Sequence, residues 1–381
     1  MSRKRGCQPL KTPRAAGICS AFLLFLCICL WGGCSPGKPA ARVELGEGSP
    51  YVGAEACREC HPKIFEQQNA SRHALTLRRP TATDPPPAPA NHEVLDKETG
   101  LAYRLDAGTD KPTIRVTEKG KEVASVHFDY LLGSGNHGIS PLALVGEEWQ
   151  YTALTYYGGT GWDFSPMHTL GDPASRKQFP TGVKVSDGDL NRCLGCHTTR
   201  LEMDGPRVDE KRSEIGIHCE KCHGPGRAHV EAARAKSTDL AISNPRKWSP
   251  DSYLALCQQC HNENSTLDGV LRGIPDDPAD PLVVKHHVHG IRNSKCYKNS
   301  GKLTCGTCHN PHGNSGTDKV FFEDRCRSCH TGDRATATAK TCPVDARKGC
   351  VTCHMPKVPV EKHTNFSDHW IRVKNPYMPK R

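Results

Sequence analysis

Cys193-Leu-Gly-Cys196-His197 opens a stretch in which one five-residue pattern recurs. The later copies are Cys219-Glu-Lys-Cys222-His223, Cys257-Gln-Gln-Cys260-His261, Cys305-Gly-Thr-Cys308-His309, Cys326-Arg-Ser-Cys329-His330 and Cys350-Val-Thr-Cys353-His354. A further copy, Cys57-Arg-Glu-Cys60-His61, stands alone nearer the N-terminus. Cys-x-x-Cys-His is the sequence form of c-type haem attachment, in which two thiols add to the vinyl groups of one haem. The adjoining His is then an axial ligand of the iron.

Seven copies of this pattern in 381 residues exclude coincidence and predict seven covalently bound haem c groups. The predicted proximal iron ligands are the seven motif histidines, His61, His197, His223, His261, His309, His330 and His354. A zinc ribbon or knuckle is the alternative interpretation of paired Cys-x-x-Cys sequences. A structural zinc site closes with two such pairs and does not need a His after each of them, so haem is favoured.

Seven of the 21 cysteines lie outside the motifs. Five of these are in the N-terminal 34 residues, which leaves Cys296 and Cys342. In an oxidising compartment the first interpretation of these two is a disulfide. A free thiol or an unusual ligand is the alternative.

The composition is poor in the residues that build an ordinary core. Hydrophobic residues make up 36% and aromatic residues 6% of the chain, while Gly and Pro are plentiful. Seven macrocycles would supply the missing apolar surface, so we predict a multihaem cytochrome c with short α-helices and irregular backbone around a haem core. The formal net charge is +10. Haem propionates would offset much of it, so the charge does not indicate a nucleic-acid partner.

The N-terminus resembles an export signal. Residues 1–33 combine basic residues with an apolar run that is short for a membrane span. Gly32-Gly33-Cys34 is similar to a bacterial lipoprotein cleavage site, although Trp31 stands where Leu is usual. We therefore expect an exported, periplasmic or cell-envelope protein, anchored to a membrane through lipidated Cys34. A cleaved soluble form and a retained anchor are the alternatives.

The remaining chain divides by motif density. Residues 34–49 are interpreted as a tether and 50–79 as the first haem unit, with a helix expected over 62–77. Residues 80–190 are predicted to be a Pro-rich linker and a β-rich insertion between haems 1 and 2, because alternating and β-branched segments are separated by turn residues. A hairpin tip is expected at 118–121, and the aromatic residues of 149–164 are expected to form a core. Residues 191–381 form the predicted six-haem domain.

The pool of possible sixth ligands is dominated by histidine. Twenty His include the seven of the motifs, whereas Met is scarce, with five in the whole chain. Mostly bis-His coordination is predicted, and with it low reduction potentials, since Met/His ligation raises them.

Residues 50–79 and 191–370 resemble the multihaem cytochromes c grouped with pentahaem nitrite reductase, hydroxylamine oxidoreductase and the tetrahaem cytochrome of nitrifying bacteria. The similar segments are Tyr51–Ala74, His223–Val230, Cys308–His312 and Cys353–Trp370. Gly133–His137 is similar to a recurring element of such proteins. The resemblance implies that His73, His229, His312, His369 and His137 are distal ligands. His287 and His289, just before Cys296, are weaker candidates.

Two main hypotheses of function follow. The first is an electron-transfer protein that carries electrons along closely spaced haems between a redox donor protein and an acceptor protein, with no catalytic residue. The alternative is a multihaem oxidoreductase that acts on a small nitrogen or sulfur compound at one pentacoordinate haem. The Cys-x-x-Cys-Lys motif that marks the active haem in the nitrite-reducing relatives does not occur. A scaffold with haem as structural filler is disfavoured, because one haem would suffice for that.

Overall fold

The computed structural model describes residues 48–89, 92–107, 111–261, 274–330 and 349–377, all within one structural unit, Ala41–Arg381. The predicted signal peptide, Cys34 and nearly all of the tether lie outside these ranges. Cys342 also lies outside them, so its pairing with Cys296 stays a prediction.

The helices are short, as predicted, and the longest in the described ranges has 12 residues. They are α1 Ala54–Arg58, α2 Pro62–Asn69, α3 Pro166–Leu170, α4 Pro173–Gln178, α5 Asp187–His197, α6 Cys219–His223, α7 Arg227–Arg234, α8 Pro250–Gln258, α9 His287–Asn293, α10 Lys295–Ser300, α11 Cys305–Cys308, α12 Lys319–His330 and α13 Cys350–His354. Short 3-10 helices cover Pro245–Lys247 and Pro281–Lys285. In the described ranges no helix is both long and apolar enough to cross a membrane.

The expected helix over 62–77 is wrong in its second half. The helix α2 ends at Asn69, and the chain then turns and becomes extended at Leu77. The reason is tertiary pairing, because the His73 carbonyl accepts a hydrogen bond from the backbone of Ile217. This contact ties the first unit to a segment far along the chain.

Most strands lie between residues 93 and 184, in the segment predicted to be β-rich. The strands are β1 Leu77–Arg78, β2 Glu93–Leu95, β3 Leu101–Asp106, β4 Thr113–Glu118, β5 Lys121–His127, β6 Tyr130–Leu132, β7 Gly138–Val145, β8 Glu148–Thr152, β9 Leu154–Tyr157, β10 Gly161–Phe164, β11 Gly182–Lys184, β12 Thr198–Arg200, β13 Met203–Asp204, β14 Arg207–Val208, β15 Glu214–Ile215, β16 Lys357–Glu361 and β17 Thr364–Ser367.

Within the described ranges, the strands form two larger antiparallel sheets and three two-stranded ones. One sheet has the order β2-β3-β4-β5, and the other has the order β1-β6-β7-β8-β11, with β9 and β10 attached through β7. The predicted hairpin tip joins β4 to β5, where Lys119 and Gly120 both have positive φ, as the tight turns of such hairpins require.

Two hydrophobic clusters hold the sheets together. The first contains Tyr103, Ile114 and Trp162 from the β-rich segment, and the second contains Trp149 and Tyr151. The predicted aromatic core is therefore present. The second cluster also takes in side chains of α5, the helix that carries the second motif, so the sheets pack directly against the beginning of the motif-rich region.

Candidate haem centres

Each motif lies on, or at the end of, a short helix. One helical turn connects the first cysteine to the histidine: the backbone N–H groups of His61, His261 and His309 donate to the carbonyls of Cys57, Cys257 and Cys305, each at 2.9 Å. Residues separated by three and four positions lie on one face of a helix. The two thiols and the imidazole of a motif can therefore bind the same haem.

Four motif histidines have another histidine ring facing them. With a metal–nitrogen bond of about 2 Å and about 1.1 Å from nitrogen to ring centre, two imidazoles across one iron have centroids about 6.2 Å apart. The observed centroid distances are 6.4 Å for His61 and His229, 6.4 Å for His73 and His261, 6.0 Å for His223 and His312, and 6.2 Å for His309 and His369. Each pair thus has the spacing that an iron between the rings would need.

Hydrogen bonds orient several of these rings. The Nδ1 atoms of His197, His223 and His354 each lie 2.9 Å from a backbone carbonyl, of Thr76, Ser243 and Arg372 respectively. Such a bond places the proton on Nδ1 and leaves the lone pair of Nε2 for a metal.

Two of the facing histidines are oriented in the same way, by a backbone carbonyl beside Nδ1. His229 and His369 have Nδ1 at 2.8 Å from the carbonyls of Leu240 and Ser367. Burial lowers the pKa of His73 and His261, and it lowers the pKa of His369 to about 4. A neutral imidazole is the form that binds a metal, so burial and orientation both suit axial ligation.

The other candidates are placed differently. His137 stacks on Phe366 with ring centroids 4.4 Å apart, and Nε2 of His289 lies 3.0 Å from the Asn293 amide. Among the ring pairs of the described ranges, that of His137 does not join a proximal His at the axial spacing. None of the four pairs above includes His197, His330 or His354. The ligation predicted for His137 and His289 stays a prediction.

Two further histidines already use both ring nitrogens. Those of His218 lie 3.3 Å from the Gln68 amide oxygen and 3.1 Å from the Ile215 carbonyl. Those of His363 lie 2.9 Å from the Thr160 hydroxyl and 2.6 Å from the Asp163 carboxylate. These rings support tertiary contacts.

Sequence reasoning gave His287 too little weight. Its ring centroid lies 4.5 Å from that of His369 and 5.9 Å from that of His261, at the centre of the histidine-rich region. The signal in the sequence was the run His286-His287-Val288-His289, whose density of imidazoles is unusual for a surface segment.

Several of the helices that carry motifs pack directly against one another. Helix α1 packs against α6, α8 against α11, α11 against α12, and α12 against α13. Thiol–thiol hydrogen bonds raise the pKa of Cys57 beside Cys219, of Cys257 beside Cys305, and of Cys260 beside Cys196. Attachment points of different motifs are therefore immediate neighbours.

Parts of this chain are similar to known proteins. A profile of the family described as "Cytochrome c554 and c-prime" matches residues 166–224. The dissimilatory sulfite reductase MccA of Wolinella succinogenes is 22% identical over 84% of this chain and 52% of its own length. The multiheme cytochrome MtrA of Shewanella baltica is 24% identical over 48% of this chain and 65% of its own.

This chain is a multihaem cytochrome c. It spans about half to two thirds of the length of these two relatives. Among solved structures, the outer cell wall cytochrome OcwA overlaps 85% of this chain and 80% of its own, with a TM-score of 0.48 and 14% identity.

Proposed function

We propose that this multihaem cytochrome binds seven haem c groups and carries electrons along them between a donor protein and an acceptor protein. The observation that carries the proposal is the unbroken contact among motif helices from α8 through α11 and α12 to α13. Haem c supplies one-electron chemistry through its iron. The polypeptide would hold neighbouring macrocycles close together by fixing their thiols side by side.

The facing histidines support six-coordinate iron, with two axial histidines, at four of the centres. We infer that His229 completes the centre of His61, His312 that of His223, His73 that of His261, and His369 that of His309. An iron with two histidine ligands has no free position for a substrate, which suits electron transfer and low potential.

The neighbouring thiols support a branched electron path. Cys57 adjoins Cys219, Cys222 is close enough to Cys257 for their charges to interact, and Cys257 adjoins Cys305. We infer that electrons pass from the first motif to the third, fourth and fifth, and then through the packed helices of the sixth and seventh. The second motif joins as a branch, because Cys196 adjoins Cys260 of the fourth.

The proposals on superfamily, export and membrane attachment rest on the sequence. We infer membership of the superfamily that contains pentahaem nitrite reductase, hydroxylamine oxidoreductase and the tetrahaem cytochrome of nitrifiers. We also propose export through residues 1–33 and attachment to the cell envelope through lipidated Cys34, with no nucleic-acid partner.

Mass spectrometry of the purified native protein, with haem staining after denaturation, tests the haem count. We expect a mass excess of seven haems, and an excess of six for the Cys193→Ala/Cys196→Ala variant. A chain that weighs no more than its amino acids would overturn the proposal. Reversible reduction of all seven haems at an electrode, without added substrate, tests the carrier function.

A second candidate is reduction of a small sulfur or nitrogen oxyanion at one open iron. It is favoured by the rings of His197, His330 and His354, which have no facing His at axial spacing in the described ranges, and by the similarity to a sulfite reductase. The test is sulfite- and nitrite-dependent oxidation of the reduced protein together with quantitation of high-spin iron. Fully low-spin iron and no turnover would exclude this candidate.

A further inference from the structure

Two buried carboxyl groups lie where the first motif helix meets the third. Glu220 is 5% exposed and Glu214 is 8% exposed. Glu220 accepts hydrogen bonds from the backbone N–H groups of Val52 (3.0 Å), Gly53 (2.8 Å) and Gly226 (2.6 Å). Three backbone N–H groups therefore hold the Glu220 carboxylate between the start of α1 and the start of α7.

Glu214 has a different environment. It lies on β15, and its Oε1 accepts a hydrogen bond from the Ala54 backbone N–H, at the first residue of α1, at 2.8 Å. The pKa of Glu214 is raised to about 7, chiefly by burial and to a smaller extent by the nearby Glu220 charge, while the Ala54 hydrogen bond and Arg200 oppose the rise. This carboxyl group is therefore poised between its two protonation states near neutral pH.

The charged and titratable groups around Glu214 lie on strand β12 and on helices α1 and α6. Arg200 is its cross-strand neighbour on β12, and its guanidinium also donates to the Arg212 carbonyl and, at 3.2 Å, to the Ser49 hydroxyl. Glu220 and Cys219 approach from α6, and Cys57 from α1. The charge of Glu214 is felt at both thiols, which are attachment points of the first and third haems.

We propose that Glu214 is a proton-binding site whose occupancy is coupled to reduction of the two haems attached at Cys57 and Cys219. This inference rests on the proposed electron-transfer function. An added electron makes the neighbourhood more negative, and a more negative neighbourhood favours the protonated form of a carboxyl group. The electron comes from the donor protein, the proton comes from water and binds a carboxylate oxygen of Glu214, and both leave on reoxidation.

The measurable consequence is a pH-dependent potential. If one proton accompanies one electron, each tenfold fall in proton concentration lowers the midpoint potential by about 59 mV, and a proton shared between two haems gives a smaller slope. Haem propionates can contribute their own pH dependence, but they remain in a Glu214 variant, so a comparison of variants separates the two sources.

Spectroelectrochemical titration of the fully loaded protein between about pH 5 and pH 9 tests the proposal, since this range brackets a carboxyl group that titrates near neutrality. We expect Glu214→Gln to flatten the pH dependence of two of the haem potentials. Glu55→Gln is the matched control, because Glu55 lies on α1, the helix that carries Cys57, with 48% of its side chain exposed. It should keep the wild-type slope. An unchanged slope in Glu214→Gln would overturn the proposal.

Infrared difference spectra of the wild-type protein give a second readout that does not require the variant to load haem. Reduction should produce the carbonyl band of a protonated carboxylic acid, and the band should shift when glutamate is labelled with carbon-13. Reversible haem reduction without such a band would refute the Glu214 site and leave the carrier function intact. Absence of reversible reduction would instead refute the proposed function.

Discussion

Replacing His229 with alanine should create one new high-spin iron per chain. The His229 ring faces that of His61 with centroids 6.4 Å apart and ring planes 16° from parallel, and its Nδ1 is anchored on the Leu240 carbonyl. An iron between these rings would lose its sixth ligand, and iron with five ligands becomes high-spin. With seven motifs in the chain, the expected change is one seventh of the total iron.

Electron paramagnetic resonance of the oxidised protein, normalised to total haem, measures this change. The decisive background is Cys57→Ala/Cys60→Ala, which removes the first haem. There, His229→Ala should add no further high-spin iron, because its partner centre is already gone. His312→Ala is the control, since His312 faces His223 and should add one high-spin iron in both backgrounds. Equal increases for His229→Ala with and without the first haem would refute the pairing.

Three further outcomes follow from the described contacts. His363→Ala should leave the high-spin fraction unchanged in the same spectra, because protein groups already bind both of its ring nitrogens. Arg176→Ala should lower the free energy of unfolding in urea by about 3–5 kcal/mol, because Arg176 is 8% exposed and its partner Asp96 is buried. Arg115→Ala should have a much smaller effect, because the Arg115 ion pair is exposed. Burial tends to raise the pKa of Asp163, but hydrogen bonds from Lys362 and His363 hold it below its ordinary value. The stability that Asp163 contributes is therefore lost as the pH falls below about 4, so the melting temperature of Asp163→Asn should fall less on acidification than that of the wild type.

The local features of this chain could be predicted from its sequence. A motif of five residues defines one helical turn, and β-branched alternation with a Lys-Gly turn defines a hairpin, so both are properties of short segments. The family resemblance implied five distal ligands. Four of them lie at axial spacing from a proximal ring in the structure, namely His73, His229, His312 and His369. The fifth, His137, stacks on Phe366, and the weaker candidate His287 lies 5.9 Å from the ring of His261.

What the sequence could not supply was which histidine faces which motif. His73 follows the first motif closely, yet its ring faces His261, the histidine of the fourth motif. The residue at which α2 ends and the hydrogen-bond partners of His218 and His363 could not be predicted from the sequence either. Each depends on a contact between segments that lie far apart in the chain, and no local pattern encodes such a contact.

The pairings have a consequence for folding. His229, which follows the third motif, faces the first, and His312, which follows the fifth, faces the third. His369, which follows the seventh, faces the fifth. In these pairs no motif obtains its facing ring from its own unit. Because ligand binding to the folded state contributes directly to folding free energy, each such iron would link two units, and loss of one distal histidine should weaken contacts between units as well as within one.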